Sequence, residues 1–144
     1  MRFALPQPSK LVSIATYDPD DFIRIEVDNE DATSDDRLEL FEMLKDEADL
    51  FDVTISDYSQ EMGVSRFIKE ASLAEHIKHV RTIVKKPVVS VGRFTSPETM
   101  VAQIRHGIVD LIGAARPSIA DPFLPRKIRE GRSDDIRECI GCNI

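Results

Sequence analysis

From residue 34 to residue 131 the sequence alternates short apolar runs with segments of helical periodicity, and few folds accept that alternation. Ser34 is placed to cap a helix whose apolar positions Leu38, Phe41, Leu44 and Ala48 form one stripe. Phe51-Asp52-Val53-Thr54-Ile55-Ser56 then reads as a strand. After a loop through Asp57 and Gly63, Ser72 and Glu75 have the spacing of a capping box. The helix it opens carries Leu73, Ile77, Val80 and Val84 on one face. Lys85 and Lys86 close that helix, where cations suit the negative end of the helix dipole.

Pro87 leads into a second strand, Val88-Val89-Ser90-Val91, which ends at Gly92 and Arg93. Ser96-Pro97-Glu98 places a cap and then proline at the first helical position, and Gly107 stops the helix that carries Met100 and Ile104. A third strand is predicted over 109–113. Asp121-Pro122 opens a last helix with Phe123, Leu124 and Ile128, stopping at Gly131. The strands are spaced as βα units on a parallel sheet, and their unalternating apolar character suits strands buried on both faces. An open doubly wound sheet and a (β/α)8 barrel both satisfy this pattern. Residues 1–36 are less regular: apolar runs over 11–15 and 22–27, broken by acids and prolines, hold at most strand material.

A formal net charge of −7 argues against a nucleic-acid binder, since neutralising phosphates takes clustered Lys and Arg. No run of about 18 apolar residues is present, and residues 1–10 have no apolar signal core, so a cytoplasmic protein without a membrane span is expected. Both cysteines, Cys139 and Cys142, fall in the last six residues, which does not suit a disulfide scaffold.

In either fold the chemistry belongs at the carboxyl ends of the strands. Three such ends are readable: Ser56-Asp57-Tyr58, Gly92-Arg93-Phe94 and Gly113-Ala114-Ala115-Arg116. In the last two a glycine ends the strand, an arginine lies within three residues, and a helix follows. Glycine allows close backbone approach, a helix start attracts phosphate, and arginine adds a forked cation. Paired loops after the last two strands are the usual phosphate site of a (β/α)8 barrel, although each motif alone also fits a plain turn with a surface charge. Cys139-Ile140-Gly141-Cys142 sets two thiolates three residues apart, a spacing shared by zinc sites, iron–sulfur clusters and redox dithiols. His76, His79 and His106 fall on helices and read as solvated side chains rather than ligands. Asp57 and Glu61 follow a strand end and read first as loop acids.

The stretch 88–98, the stretch 110–122 and Asp134-Asp135-Ile136-Arg137-Glu138-Cys139-Ile140-Gly141-Cys142-Asn143 together resemble the Old Yellow Enzyme-type NADH:flavin oxidoreductases. Their wording is closest to the trimethylamine and dimethylamine dehydrogenase subgroup. The resemblance implies the carboxyl-terminal part of a TIM (β/α)8 barrel over 37–138, the start of a [4Fe-4S] motif over 139–144, and a poorly defined segment over 1–36. It implies FMN held by the backbone at Gly92, Arg93, Gly113 and Ala115 with the Arg116 side chain, and cluster ligation by Cys139 and Cys142. The resemblance also matches Arg2-Phe3 to the end of the fourth barrel strand. The catalytic residues fall outside the matched region, and the family pattern expects the next cysteine directly after Ile144. The implied activity is electron transfer from a small substrate, a methylated amine, through FMN to the cluster and on to an electron-accepting flavoprotein. Alternatives are an NAD(P)H-dependent enoate or dienoyl-CoA reductase, and a non-catalytic phosphate-binding module with structural zinc. The chain has no tryptophan, an aromatic that the amine dehydrogenases use to hold a substrate ammonium; Tyr58 and Glu61 stand in the loop where one would be expected.

Overall fold

The structure, a computed structural model, describes residues 13–16, 23–26, 34–54 and 67–141. Two short strands, β1 (Ser13–Thr16) and β2 (Ile23–Glu26), pair antiparallel with Ser13 opposite Glu26. The weak strand signals of the amino-terminal segment therefore correspond to a hairpin. Helix α1 (Ser34–Leu44) follows, and then the part of the chain that carries the site.

That part is a parallel three-stranded sheet of β3 (Phe51–Val53), β4 (Val88–Ser90) and β5 (Leu111–Ile112), in the order β3-β4-β5. Phe51 lies opposite Val88 and Val53 opposite Ser90; Val89 and Ser90 lie opposite Leu111 and Ile112. The expected strands are present, adjacent and parallel in the expected order. The first ends at Val53, and residues 55–66, including Ser56, Asp57, Tyr58 and Glu61, lie outside the described region.

Between β3 and β4 the chain forms α2 (Ala74–Ile77) and α3 (Val80–Val84). This differs from the single helix capped by Ser72. Leu73 occupies the cap position of α2, and Ala71, two residues earlier, is in the left-handed region at φ 58°. The Ala71 amide donates to the Gly92 carbonyl at 3.0 Å, and its own carbonyl accepts from the Ala74 amide. A tertiary bond to the loop after β4 therefore sets where the helix begins, overriding the local cap signal.

Helix α4 (Pro97–Arg105) starts as its sequence predicts. The Ser96 side chain accepts from the Thr99 amide, Pro97 sits in the first turn, and Gly107 follows the helix at φ 69°. After β5 come α5 (Ala115–Ala120) and α6 (Leu124–Arg129), then a 3-10 turn, Ser133–Asp135. Helix α5 was not foreseen, and α6 begins three residues after the expected start at Asp121.

Two apolar clusters flank the sheet. Phe51, Ile77, Val80, Val84, Val88 and Val109 form one, with Phe41, Leu44 and Ala48 of the predicted α1 stripe packed on it; the rings of Phe41 and Phe51 meet edge to face at 6.2 Å. Phe94, Met100 and Leu124 form the other, against Ile112, Ile128 and Ile136. No helix among the described residues is long and apolar enough to cross a membrane.

Candidate cofactor site at the carboxyl ends of the strands

Strands β4 and β5 run side by side and in parallel, so the segments that leave them emerge at the same edge of the sheet. Gly113 is bound directly to the neighbouring strand: its amide donates to the Ser90 carbonyl at 2.8 Å. A Cβ added at Gly113 would lie 2.8 Å from Val91 Cγ1 and 3.3 Å from the Ser90 carbonyl oxygen. A Cβ at Gly92 would lie 3.2 Å from the Ala71 backbone. A side chain is thus crowded at both strand ends, most of all at Gly113, whatever else the loops do.

Arg93 adopts the left-handed conformation at φ 52°, a strained setting for a side chain of this size. Its Nη2 donates to the Ile68 carbonyl at 2.8 Å, while its Nε is buried and has no hydrogen-bond partner within the protein. A buried guanidinium N–H without an acceptor is unfavourable by about 1–3 kcal/mol, so this nitrogen fits an anionic group at the site. Ala115 opens α5, and Arg116 is the second residue of that helix. The structure therefore places Gly92 and Arg93 at the end of β4, and Gly113, Ala115 and Arg116 at the end of β5 and the start of α5, on two neighbouring strand ends.

Behind these loops lies a polar cluster that the sequence did not reveal. Glu70 accepts from the Thr95 hydroxyl, from the Ser96 amide at 3.2 Å and from the Ser96 hydroxyl at 3.0 Å. Burial pushes the Glu70 pKa up, but the hydrogen bonds from Thr95 and Ser96 outweigh it and hold the carboxyl below its ordinary value. Thr95 Oγ1 also lies 3.2 Å from Oε1 of Glu138, next to Cys139 in sequence. Only the long separation of Glu70 from Ser96 joins these residues, and periodicity carries no trace of it.

Cys139 is buried, with 7% of its surface exposed, and is not in a disulfide. The Gly141 amide donates to its Sγ at 3.4 Å, made possible by the left-handed turn of Gly141 at φ 62°. An N–H bond to sulfur stabilises a thiolate and is one of the protein's means of tuning an iron–sulfur centre. Cys142 lies outside the described residues. His76 and His79 fall in and beside α2, and His106 caps the end of α4; among the described residues no group of three or more His, Cys, Asp or Glu is placed to hold a metal ion.

Parallel βα units with a glycine and an arginine at adjacent strand ends place the chain in the class of α/β folds whose sites form at the carboxyl ends of the strands. The family model described as NADH:flavin oxidoreductase / NADH oxidase matches residues 16–135, and the chain belongs to that family. It is 51% identical over 114 residues to dimethylamine dehydrogenase from Hyphomicrobium sp. (strain x), covering 77% of this chain and 16% of that protein. Among solved structures, 6-hydroxypseudooxynicotine amine oxidase from Pseudomonas geniculata N1 matches with 59% identity and a TM-score of 0.69. Histamine dehydrogenase from Rhizobium sp. 4-9 matches with 51% identity and a TM-score of 0.71. Each structural match covers 76% of this chain and 16% of the other. The three-stranded sheet and its helices are accordingly part of a (β/α)8 barrel, and the resemblance to the amine dehydrogenases stands. The chain spans about one sixth of the length of these relatives.

Proposed function

We propose that this chain supplies the FMN-phosphate site of an FMN-dependent amine dehydrogenase, together with the first two thiolates of a [4Fe-4S] cluster. The observation that carries the reading is the pair of adjacent loops after β4 and β5, with the buried, unpartnered Nε of Arg93 between strand end and helix start. The backbone of Gly92, Arg93, Gly113 and Ala115 and the guanidinium of Arg116 hold the phosphate. Bound there, FMN supplies two-electron oxidation of a small amine and one-electron release to an iron–sulfur centre. The residues of this chain anchor and orient it. Arg116 is a permanent cation with a planar fork matched to phosphate oxygens, and the Gly113 backbone bonded to Ser90 fixes the loop that presents it.

The buried Cys139, with its N–H···S bond, supports the cluster reading. A [4Fe-4S] cluster takes four cysteines, and this sequence contains two, so the reading requires two more in the polypeptide that carries it. The substrate class, a small amine, follows from the activities of the similar dimethylamine and histamine dehydrogenases, and a flavoprotein is proposed to receive the electrons.

The test uses the full-length enzyme that contains these residues. Arg116→Ala is expected to weaken FMN retention by about 1.5–3 kcal/mol, roughly ten- to a hundredfold in Kd, the range for a hydrogen bond to a charged group. Undiminished FMN affinity would remove Arg116 from the site. Anaerobic addition of a methylated amine should bleach the flavin absorbance, and metal analysis should find iron with acid-labile sulfide. Bleaching by NADH but not by any amine supports a reductase instead, and zinc without iron supports a structural metal.

A further inference from the structure

Asp121 and Lys127 form a buried ion pair at the junction of α5 and α6. Lys127 Nζ lies 2.7 Å from Asp121 Oδ2, and the two side chains are 11% and 2% exposed. Burying two charges is unfavourable unless the remaining hydrogen-bonding positions are filled. Here they are filled in a particular direction. Asp121 Oδ1 accepts locally from the Phe123 amide at 3.1 Å, but Oδ2 also accepts from the Arg137 amide at 2.9 Å, 16 residues along the chain. The Lys127 ammonium also donates to the Asp135 carbonyl. Both members of the pair therefore bond the segment that leads to Cys139.

That segment has no regular structure of its own after the Ser133–Asp135 turn, and residues 137 and 138 are exposed. Exposed irregular backbone is ordinarily the least constrained part of a protein. Here four consecutive residues are tied down. Asp135 is held by Lys127 and Arg137 by Asp121; between them, Ile136 packs against the Phe94, Met100 and Leu124 cluster. Glu138 meets the Thr95 hydroxyl. Cys139 follows directly and is buried. Asp121 itself ends α5, the helix that begins at the Gly113 loop.

We propose that the Asp121–Lys127 pair is a positioning device: it fixes the cysteine-bearing segment to the helix behind the FMN-phosphate loop, so that the cluster is held at one distance and orientation from the flavin. This rests on the reading of Cys139 as a cluster ligand. Neither residue touches a reacting atom; both act through the backbone at 135 and 137. Electron transfer between two centres depends steeply on their separation, so a segment free to move would load the cluster poorly and transfer slowly.

The experiment compares Asp121→Asn with Val80→Ala in the full-length enzyme. Val80, on α3, is buried in the other apolar cluster, and its truncation loosens the fold without touching the pair or the packing of Ile136. Each variant is measured for thermal stability, iron and FMN per chain, the low-temperature EPR spectrum of the reduced cluster, and the flavin-to-cluster electron-transfer rate. Asp121→Asn is expected to lower the iron-to-FMN ratio at least twofold, or to shift the EPR spectrum and slow transfer about tenfold, while FMN per chain stays at the wild-type value. Val80→Ala is expected to lower thermal stability with iron-to-FMN ratio and spectrum unchanged. If Asp121→Asn loses thermal stability with cluster content, spectrum and transfer rate intact, or if Val80→Ala gives the same cluster defect, the proposal is overturned. Should Asp121→Asn not accumulate, Lys127→Gln takes its place with the same readouts, since it removes the anchor on Asp135 and leaves the Asp121 bond to Arg137. Wild-type enzyme without iron refutes the cluster reading itself. Wild-type with iron and an unaltered Asp121→Asn refutes only the positioning role.

Discussion

Two residues near the sheet, one at each end of β5, separate cofactor binding from stability. Gly113 follows the strand, and an added methyl group would meet Val91 Cγ1 at 2.8 Å and the Ser90 carbonyl oxygen at 3.3 Å. That carbonyl cannot retreat without lengthening its 2.8 Å bond from the Gly113 amide. Gly113→Ala should therefore destabilise the fold by about 1–3 kcal/mol, the usual range for overpacking, and also displace the loop that carries Arg116. A lower Tm together with a lower FMN-to-protein ratio after gel filtration is the expected result. Asp110 precedes the strand and accepts from Arg81 Nε at 2.9 Å and from the Val88 amide at 3.0 Å. Arg81, through its hydrogen bond and charge, and the Val88 amide hold the Asp110 pKa below its ordinary value against a smaller opposing effect of burial. Asp110→Ala leaves the amide of fully buried Val88 without an acceptor, at about 1–3 kcal/mol. Urea unfolding should show that loss while FMN affinity stays unchanged, because Asp110 lies at the opposite end of the strand. At this scale the sequence marked the strand ends themselves, where Gly92 and Gly113 meet neighbouring chain closely. It could not show the Asp121–Lys127 pair, whose members are six apart and face one another only because the chain breaks between α5 and α6.

Elements were legible where their ends are determined locally. Ser96-Pro97 opens α4 as predicted, because the cap bond to Thr99 spans three residues. Helix α2 began later than Ser72 suggested, because the Ala71 bond to Gly92 crosses 21 residues to reach the next strand end. Helix α5 escaped detection because it is six residues long, carries a proline in its first turn and shows too little apolar periodicity to register. The elements are also joined by carboxylates, which gives the fold an acid-sensitive character. Glu70 links the segment before α2 to the start of α4, and Asp121 links α5 to the cysteine segment. The Lys127 hydrogen bond, followed by that of the Arg137 amide, lowers the Asp121 pKa from 3.8 to about 2. A carboxyl whose pKa is depressed on folding binds fewer protons in the native state than in the unfolded one. Its contribution is complete above the unfolded value and is lost as the pH falls through the folded value. For Asp121 that loss runs from 3.8 down to about 2, and for Glu70 it starts at its ordinary value of 4.5. Urea unfolding at a series of pH values should show stability level near neutrality and falling below about 4.5. Glu70→Gln should be less stable at neutral pH and should flatten the upper part of that fall. An unchanged slope would mean that Glu70 does not contribute.

At the scale of the whole molecule, three parallel strands do not close a barrel. Among the described residues β3 and β5 each pair along one edge, which leaves hydrogen-bonding groups on the other edge of each. Leu111, on β5, is 48% exposed although it sits in a strand that the pattern reads as buried on both faces. Leu50, Phe67, Ile119, Phe123 and Ile140 are exposed as well. The discrepancy between a buried-strand sequence and an exposed strand has a direct physical meaning: the residues are suited to neighbours that the described residues do not provide. The relatives are about six times as long, and their additional chain is the natural source of those neighbours. Produced alone, the 144-residue chain should elute from gel filtration as large, polydisperse species, raise the fluorescence of an apolar dye and fail to retain FMN. A polypeptide extended to the relatives' full length should elute as a defined species with FMN bound and little dye response. A monodisperse, dye-silent, FMN-binding 144-residue chain would show instead that the three βα units fold and bind cofactor by themselves. The open edges would then need another explanation than a missing remainder of the barrel.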